Sequence, residues 1–287
     1  MNYKTILEQT DDNWDFLLGD YNNDGILDLY CIKKFYSGTN STEVHILNGS
    51  NGFQSFLFQN GTPISFVGDD YQFLLGDYNN NGKLDLYCIK KYDTESKKTE
   101  VHILDGNNNY QTFLLEKPII TPLIEVGDCF EFGLGDYNNN GILDLYCIKK
   151  FGTKSGKIEV SILDGNNNFQ SFLLKDEITC LEEIDDDCQF GISDYNNNGI
   201  PDIYCIKKNN TGTQSTEVYI LDGSNNYKSF LLQTGTHLSE KNENYSFYII
   251  KKKLFIVNKK GDNCTEVDLL VLKNVIKDEA PAIPIEN

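Results

Sequence analysis

One nine-residue pattern occurs four times along the chain and constrains its fold more than any other feature. The copies occupy residues 20–28, 77–85, 136–144 and 194–202, and their first aspartates lie 57, 59 and 58 residues apart. Each copy has Asp or Asn at its first, third, fifth and ninth positions and Gly at its sixth. A repeat of nearly fixed period indicates an array of one structural unit, so the unit must be interpreted before any single residue.

The side chains of this pattern suit a hard cation such as Ca²⁺, which binds about six to eight oxygen atoms. Gly at the sixth position permits the sharp bend, and the backbone carbonyl at the seventh would add a ligand. Four Ca²⁺ sites are therefore predicted. Their ligands are Asp20, Asn22, Asp24, Ile26 and Asp28; Asp77, Asn79, Asn81, Lys83 and Asp85; Asp136, Asn138, Asn140, Ile142 and Asp144; and Asp194, Asn196, Asn198, Ile200 and Asp202.

The loop differs from an EF-hand, and a simpler explanation exists for any single copy. An EF-hand has Glu at position twelve, where this chain has Cys31, Cys88, Cys147 and Cys205. Asn, Asp and Gly are also common turn residues, so one isolated copy could be an ordinary turn. The same ligand positions in four copies favour the metal. The first loop alone has three carboxylates, so it is predicted to bind Ca²⁺ most tightly.

Each repeat carries strand-like runs without helical periodicity, which predicts an all-β fold. In the first repeat the runs are residues 14–19, 26–33, 42–47 and 53–59, joined by the metal loop and by turn-forming segments. A fifth unit is degenerate, because Lys251, Lys252 and Lys253 stand where its loop should be. The chain thus contains five units and four loops.

The fifth unit lacks a fourth strand, and the N-terminus can supply it, because residues 2–10 align with residues 226–234. A ring closed in this way predicts a five-bladed β-propeller of four-stranded blades. The expected domain covers residues 1–276, followed by an irregular tail at 277–287. The expected blades lie at approximately 13–60, 69–117, 128–175 and 187–234, with the last formed by 244–273 and the strand at 2–10.

Charge and cysteine content limit the partners and the compartment. The net charge of −18 argues against binding nucleic acid or anionic membrane, and no apolar run approaches the ~20 residues that span a bilayer. Cys180 and Cys188 could form a local disulfide, whereas Cys129 and Cys264 have no obvious partner. The N-terminus shows no leader, so the protein is expected to be cytoplasmic or, with slight preference, extracellular after leader removal.

The strand before each loop completes a recognisable motif. The first three copies read Phe16-Leu17-Leu18-Gly19-Asp20, Phe73-Leu74-Leu75-Gly76-Asp77 and Phe132-Gly133-Leu134-Gly135-Asp136, whereas the fourth has Ser193 in place of Gly. This pattern resembles the FG-GAP or VCBS-type repeat of integrin α-chain propellers and fungal propeller lectins. The resemblance implies a propeller with calcium loops, although most members have seven blades and this chain has five units.

Repetition also suggests the first functional hypothesis, a multivalent carbohydrate-binding, lectin-like module whose partners are glycans or glycoproteins. The candidate sugar platforms are the aromatic residues six positions before the loop aspartate or its equivalent, namely Trp14, Tyr71, Phe130 and Tyr245. The alternative interpretation is that these rings fill the space between blades.

The sequence also bears on two further functions. A protein-interaction or adhesion scaffold with purely structural calcium is the alternative to the lectin-like module. An enzyme is not expected, and no catalytic residue is assigned. A glycosidase needs a pair of carboxylates, and the repeated carboxylates are committed to loops or to one repeated strand position. No pair that breaks the repeat symmetry was identified.

Overall fold

The computed structural model describes residues 1–185, 187–250 and 252–276, which form five antiparallel sheets of four strands each. The innermost strands of neighbouring sheets contact one another in a closed circle. This arrangement is a five-bladed β-propeller, and the predicted all-β fold is confirmed. The tail expected at 277–287 lies outside the described residues. Within the described ranges, no helix is long and apolar enough to cross a membrane.

The first four blades each use four strands that are consecutive in the chain, ordered from the innermost to the outermost. Their bounds are Trp14–Gly19, Asp28–Lys33, Glu43–Leu47 and Phe56–Gly61 for β2 to β5; Tyr71–Gly76, Asp85–Lys90, Lys98–Leu104 and Ile119–Ile124 for β6 to β9; Phe130–Gly135, Asp144–Lys149, Lys157–Leu163 and Phe172–Glu182 for β10 to β13; and Cys188–Ser193, Asp202–Lys207, Ser215–Leu221 and Phe230–Ser239 for β14 to β17.

The fifth blade joins the two ends of the chain. Its strands are β18 (Tyr245–Ile250), β19 (Lys253–Asn258), β20 (Glu266–Val271) and β1 (Asn2–Lys4), in the order β1-β20-β19-β18. Asn2 pairs with Asp268 and Lys4 pairs with Glu266. The N-terminal strand therefore closes the ring as expected, although regular pairing covers three residues of the aligned segment.

The outer strand of the second blade differs from the sequence-based expectation. It lies at Ile119–Ile124 and so extends beyond the expected blade boundary at residue 117. The preceding segment makes only an isolated bridge between Leu104 and Phe113. An outer strand pairs on one side only, so it tolerates Pro122 and a shift along its neighbour.

The hydrophobic core lies between the blades. Five clusters of buried side chains each join two neighbouring blades, and one of them joins the fifth blade to the first. The second strand of each blade is buried on both faces; in β3, Leu29, Tyr30, Cys31 and Ile32 have no exposed surface. Packing on both sides explains why these strands are continuously apolar rather than alternating.

One turn of 3-10 helix follows the third strand of each blade, at Gly49–Asn51, Gly106–Asn108, Gly165–Asn167, Gly223–Asn225 and Leu272–Asn274. The first four turns begin with Gly because the backbone passes very close to the preceding hairpin. A Cβ atom on Gly106 would lie 2.0 Å from the carbonyl oxygen of Leu84. The glycine of the Phe-x-x-Gly motif has a similar reason, since a Cβ on Gly19 would lie 2.4 Å from a Leu84 side-chain carbon of the next blade.

Candidate functional site

The inner strands surround a central cavity of about 530 Å³, a volume typical of small-molecule sites. The cavity is lined by residues from the N-terminal halves of β2, β6, β10, β14 and β18. The predicted metal loops follow the last residues of the first four of these strands, so cavity and loops lie at opposite ends of the propeller.

The second residue of each inner strand connects neighbouring blades. This position holds Asp15, Gln72, Glu131, Gln189 and Ser246, and all five line the cavity. Gln72 Oε1 accepts a hydrogen bond from Phe132 N in the next blade at 3.0 Å. Gln189 Oε1 accepts one from Phe247 N at 2.7 Å, and Glu131 Oε1 accepts one from Phe190 N at 3.1 Å. A side chain at this position therefore links its blade to the next by a hydrogen bond, and we call this link the inter-blade strut. A glutamine is sufficient to form it.

Two blades depart from glutamine by introducing a carboxylate. Glu131 keeps the strut and adds a negative charge to the cavity. Asp15 is one methylene shorter and lies 3.5 Å from the ammonium of Lys34, with its side chain 36% exposed. Burial raises the pKa of Asp15, and the positive charges of Lys34 and Lys259 act in the opposite direction. Asp15 and Glu131 are thus a carboxylate pair that breaks the repeat symmetry inside one cavity.

A tyrosine of the fifth blade lies near both carboxylates. Tyr248 is the fourth residue of β18, where the other inner strands have Leu or Gly. Burial raises the pKa of Tyr248, and the charges of Asp15 and Glu131 raise it further. The Tyr248 hydroxyl is therefore a neutral donor close to two acids.

The predicted aromatic platforms all line this cavity, at the first residue of four inner strands. Each also packs partly buried against one of the clusters between blades. Trp14 lies 5.3 Å from the His45 ring and 5.4 Å from the Lys33 ammonium, and Tyr71 stacks on Phe73. The structure thus brings Trp14, Tyr71, Phe130 and Tyr245 together, and the packing that was the alternative explanation accounts for part of each ring.

The predicted metal loops are closed by hydrogen bonds from their own backbone. In the first loop, Asp20 accepts from Asp24 N at 3.1 Å and from Gly25 N at 2.8 Å. The buried Asp28 accepts from Tyr21 N at 3.0 Å and from Gly49 N at 2.9 Å, which ties the loop to the following turn. The same contacts recur for Asp77 and Asp85, Asp136 and Asp144, and Asp194 and Asp202.

The oxygen atoms of these loops are compatible with a hard cation, but carboxylates alone do not make a site. Among the described residues, no three His, Cys, Asp or Glu side chains form a group that could hold a metal ion. Amide and backbone oxygens of the loop would have to supply the remaining ligands. Burial raises the pKa of Asp28, and the nearby charges of Asp24 and Asp20 raise it further. Calcium binding at the four loops therefore stays a prediction.

Comparison with protein families matches the FG-GAP-like repeat at residues 20–88 and 77–147. These ranges cover the first three loops and the strands between them. A comparison with curated proteins finds no match.

Solved structures with a similar fold include glycoside hydrolases of low sequence identity. A GH43 β-xylosidase/α-arabinofuranosidase from a compost microbial metagenome has a TM-score of 0.54 at 12% identity, with 99% of this chain and 100% of that chain covered. A GH62 α-L-arabinofuranosidase catalytic domain from Coprinopsis cinerea has a TM-score of 0.50 at 8% identity, with 92% and 91% covered. An exo-β-1,3-galactanase from Phanerochaete chrysosporium has a TM-score of 0.52 at 9% identity; 94% of this chain is covered, and it spans 64% of the galactanase chain.

These findings correct the functional expectation. The expectation of a non-catalytic protein, either a lectin-like module or a scaffold, is overturned because the three solved structures described above, which have a similar fold, are glycoside hydrolases. Sequence reasoning also missed Asp15 and Glu131. Alignment of the second residue in all five inner strands would have found them, because they are the two acids in a column otherwise held by Gln and Ser.

The family comparison bears out the resemblance read from the Phe-x-x-Gly strand and its Asp/Asn loop. The fold agrees with it, since each matched loop joins the first two strands of a blade. Residues 20–147 of this five-bladed β-propeller therefore match FG-GAP-like repeats.

Proposed function

We propose that the protein hydrolyses glycosidic bonds in its central cavity. The observation that carries this proposal is the pair of carboxylates, Asp15 and Glu131, placed in one cavity at a position that otherwise holds Gln or Ser. Glycoside hydrolysis characteristically uses two carboxyl groups on either side of the scissile bond. The similarity in fold to glycoside hydrolases supports the same activity.

The surroundings suggest a division of roles. Burial keeps the pKa of Asp15 above its usual range, which favours the protonated form and suits a general acid. Glu131 is held in place by the hydrogen bond from Phe190 N and lies in the electrostatic range of the Lys208 ammonium. With Asp15 assigned as the acid, Glu131 is the carboxylate of the pair that is left to act as the general base.

In the proposed reaction, Asp15 donates its proton to the glycosidic oxygen as the bond between that oxygen and the anomeric carbon breaks. Glu131 takes a proton from a water molecule whose oxygen forms the new bond to the anomeric carbon. Exchange with solvent then restores the proton on Asp15 and removes the proton from Glu131. Exposed parts of the rings at the rim, including Trp14 and Tyr71, offer faces on which sugars can stack.

The first test is hydrolysis of a panel of oligosaccharides that includes arabinan, xylan, β-1,3-galactan and uronate-containing oligomers. Hydrolysis is measured by the release of reducing ends. Wild-type protein is expected to hydrolyse at least one member. Asp15→Asn preserves the shape of the side chain and is expected to lower the rate by at least ~100-fold. A wild-type protein that hydrolyses nothing, or an Asn variant with full activity, would refute the proposal.

We also propose that the four loops bind Ca²⁺ as a structural ion. Their carboxylate, amide and carbonyl oxygens are the ligand types that Ca²⁺ prefers. Bound Ca²⁺ would neutralise the carboxylates that surround Asp28 and its equivalents. The loops join the two innermost strands of four blades, so the ion would stabilise those hairpins at the end of the propeller opposite the cavity.

A further inference from the structure

A ring of lysines surrounds the central cavity, one from each blade. Its members are Lys34, Lys91, Lys150, Lys208 and Lys259, and each directly follows the second strand of its blade. The backbone fixes this placement, because the N–H of the lysine donates to a carbonyl just before the inner strand. The distance is 2.8 Å from Lys34 N to Asn13 O and 2.7 Å from Lys208 N to Asp187 O.

The ring places five ammonium groups at one cavity of an acidic protein. The same cavity is also lined by five carboxylates, those of Asp15, Asp69, Asp128, Glu131 and Glu243. The chain has 25 basic residues and a net charge of −18, yet five of the basic residues line this one cavity. Lys34, Lys91 and Lys150 are only 5%, 8% and 7% exposed. Bringing like charges together and removing them from water disfavours folding unless negative charge compensates.

Three of the lysines pair with carboxylates that are themselves largely exposed, two of them, Asp69 and Asp128, at the rim of the cavity. Lys34 lies 3.4 Å from Asp69, Lys91 lies 3.0 Å from Asp128 and Lys259 lies 3.5 Å from Asp12. These three carboxylates are 82%, 66% and 99% exposed. Ion pairs with exposed partners contribute little and are readily exchanged for another anion.

Lys208 is the exception in the ring. Burial lowers the pKa of its ammonium, and the negative charge of Glu131 acts in the opposite direction. No hydrogen bond or ion pair joins that ammonium to any of the residues that the structure describes. Among the residues that the structure describes, Lys208 therefore has no direct partner, and it presents a partly desolvated positive charge to the cavity beside the proposed general base.

We infer that the lysine ring binds an anionic group of the substrate, so that the cavity takes an acidic carbohydrate such as a uronate-containing oligosaccharide. That the ligand is a carbohydrate rests on the proposed glycoside hydrolysis. That the ligand is anionic rests on the lysine ring. The carboxylate of a uronate binds Lys208 directly and displaces the exposed partner, Asp12, of the neighbouring Lys259. An ammonium bound to a carboxylate forms a short charge-assisted hydrogen bond.

The test compares binding of trigalacturonate with binding of its fully methyl-esterified form, which has a similar shape and no charge. Calorimetry at low ionic strength is expected to show at least about ten-fold tighter binding of the charged form, with the difference reduced by salt. Lys208→Gln is expected to weaken binding of the charged form about ten-fold and to leave the ester unchanged. Lys154→Gln, which alters an exposed lysine outside the cavity, is the matched control.

The outcomes separate this inference from the proposed activity. Equal binding of both forms, or a Lys208→Gln variant that binds like wild type, would overturn the inference even if neutral glycans are hydrolysed. Charge-dependent binding through Lys208 without hydrolysis of any glycan would support the anion site and refute the catalytic proposal. Equally tight binding of inorganic phosphate or acetate would show a site for free anions and would overturn the carbohydrate part.

Discussion

At the scale of single residues, one inner-strand position serves two purposes. Gln72 and Gln189 use it only to hold the next blade, whereas Glu131 holds the next blade and also carries a charge. Asp15 reaches Lys34 at 3.5 Å. The repeats can therefore be compared with one another at this position. The glutamines show that the contact between blades needs no charge, so the carboxylates of Asp15 and Glu131 are not required for that contact.

The pH dependence of hydrolysis tests the role of Asp15. A general acid must be protonated, so the rate should fall as the pH rises through the raised pKa of Asp15. The positive charge of Lys34 lowers that pKa, so Lys34→Gln should move the alkaline limb of the pH–rate profile to higher pH. Lys154→Gln should leave the limb in place. A shift to lower pH in the Lys34 variant would contradict the assignment.

At the scale of elements, the repeated hairpin is stabilised from both ends. The inner and second strands are joined by an Asp/Asn loop at one end, and the lysine after the second strand is tied to the residue before the inner strand at the other. The buried aspartate at position nine accepts hydrogen bonds from its own loop and from the following 3-10 turn. The fifth hairpin replaces the loop with a short connection, of which only Lys252 lies in the described ranges.

Calcium titration tests the four loops. Chelator-stripped protein is expected to gain thermal stability on adding Ca²⁺, and calorimetry should show one site that is tighter than the other three, because the first loop has an extra carboxylate. Asp24→Asn converts that loop to the pattern of Asn81, Asn140 and Asn198. The variant should lose the tightest binding event and keep its fold. Four equal sites in wild type, or no binding at millimolar Ca²⁺, would contradict the prediction.

At the scale of the whole molecule, the ring depends on a three-residue strand from the N-terminus. This strand pairs with β20 of the fifth blade, while Tyr3 packs edge-on against Phe53 of the first blade at 5.7 Å. The first and last blades are thereby joined by both hydrogen bonds and side-chain packing. A closed ring leaves only short edges, which protects the blades from pairing with other chains.

Removing the Tyr3 ring, and with it the contact to Phe53, should lower the stability of the whole propeller. Tyr3→Ala is expected to reduce the free energy of unfolding by about 2 kcal/mol, less than the ~3–5 kcal/mol typical of a fully buried aromatic ring, because Tyr3 is half-buried. Ile124→Ala, at a position 74% exposed on the second blade, should have little effect. Urea unfolding measures both. Equal stability of the two variants would show that closure does not depend on this contact.

The sequence predicted the features that recur and missed those that differ between repeats. The Asp/Asn loop and the alignment of residues 2–10 with 226–234 were enough for the blade count and the ring closure. The outer strand of the second blade lies beyond the expected blade boundary at residue 117, because an edge strand is weakly specified by pairing on one side. Asp15 and Glu131 were visible in the sequence, but their meaning depends on the inner strands converging on one cavity.

The lysine ring illustrates what the sequence could not supply. Pairs such as Lys33-Lys34 and Lys90-Lys91 look like ordinary solvated charges at strand ends. Only the closed ring shows that the second lysine of each pair lines the common cavity, and that Lys34, Lys91 and Lys150 are nearly buried there. Burial of this kind depends on all five blades together, which no single repeat specifies.

The most direct measurement of the central claim is the hydrolytic rate of Glu131→Gln beside that of Gln189→Glu, on the oligosaccharide that wild type hydrolyses best. Glutamine already forms the strut in two other blades, so Glu131→Gln should unfold at the same urea concentration as wild type while its rate falls at least ~100-fold. Gln189→Glu adds a carboxylate at the equivalent position and should not restore activity to Glu131→Gln. A folded Glu131→Gln variant with wild-type activity would contradict the account.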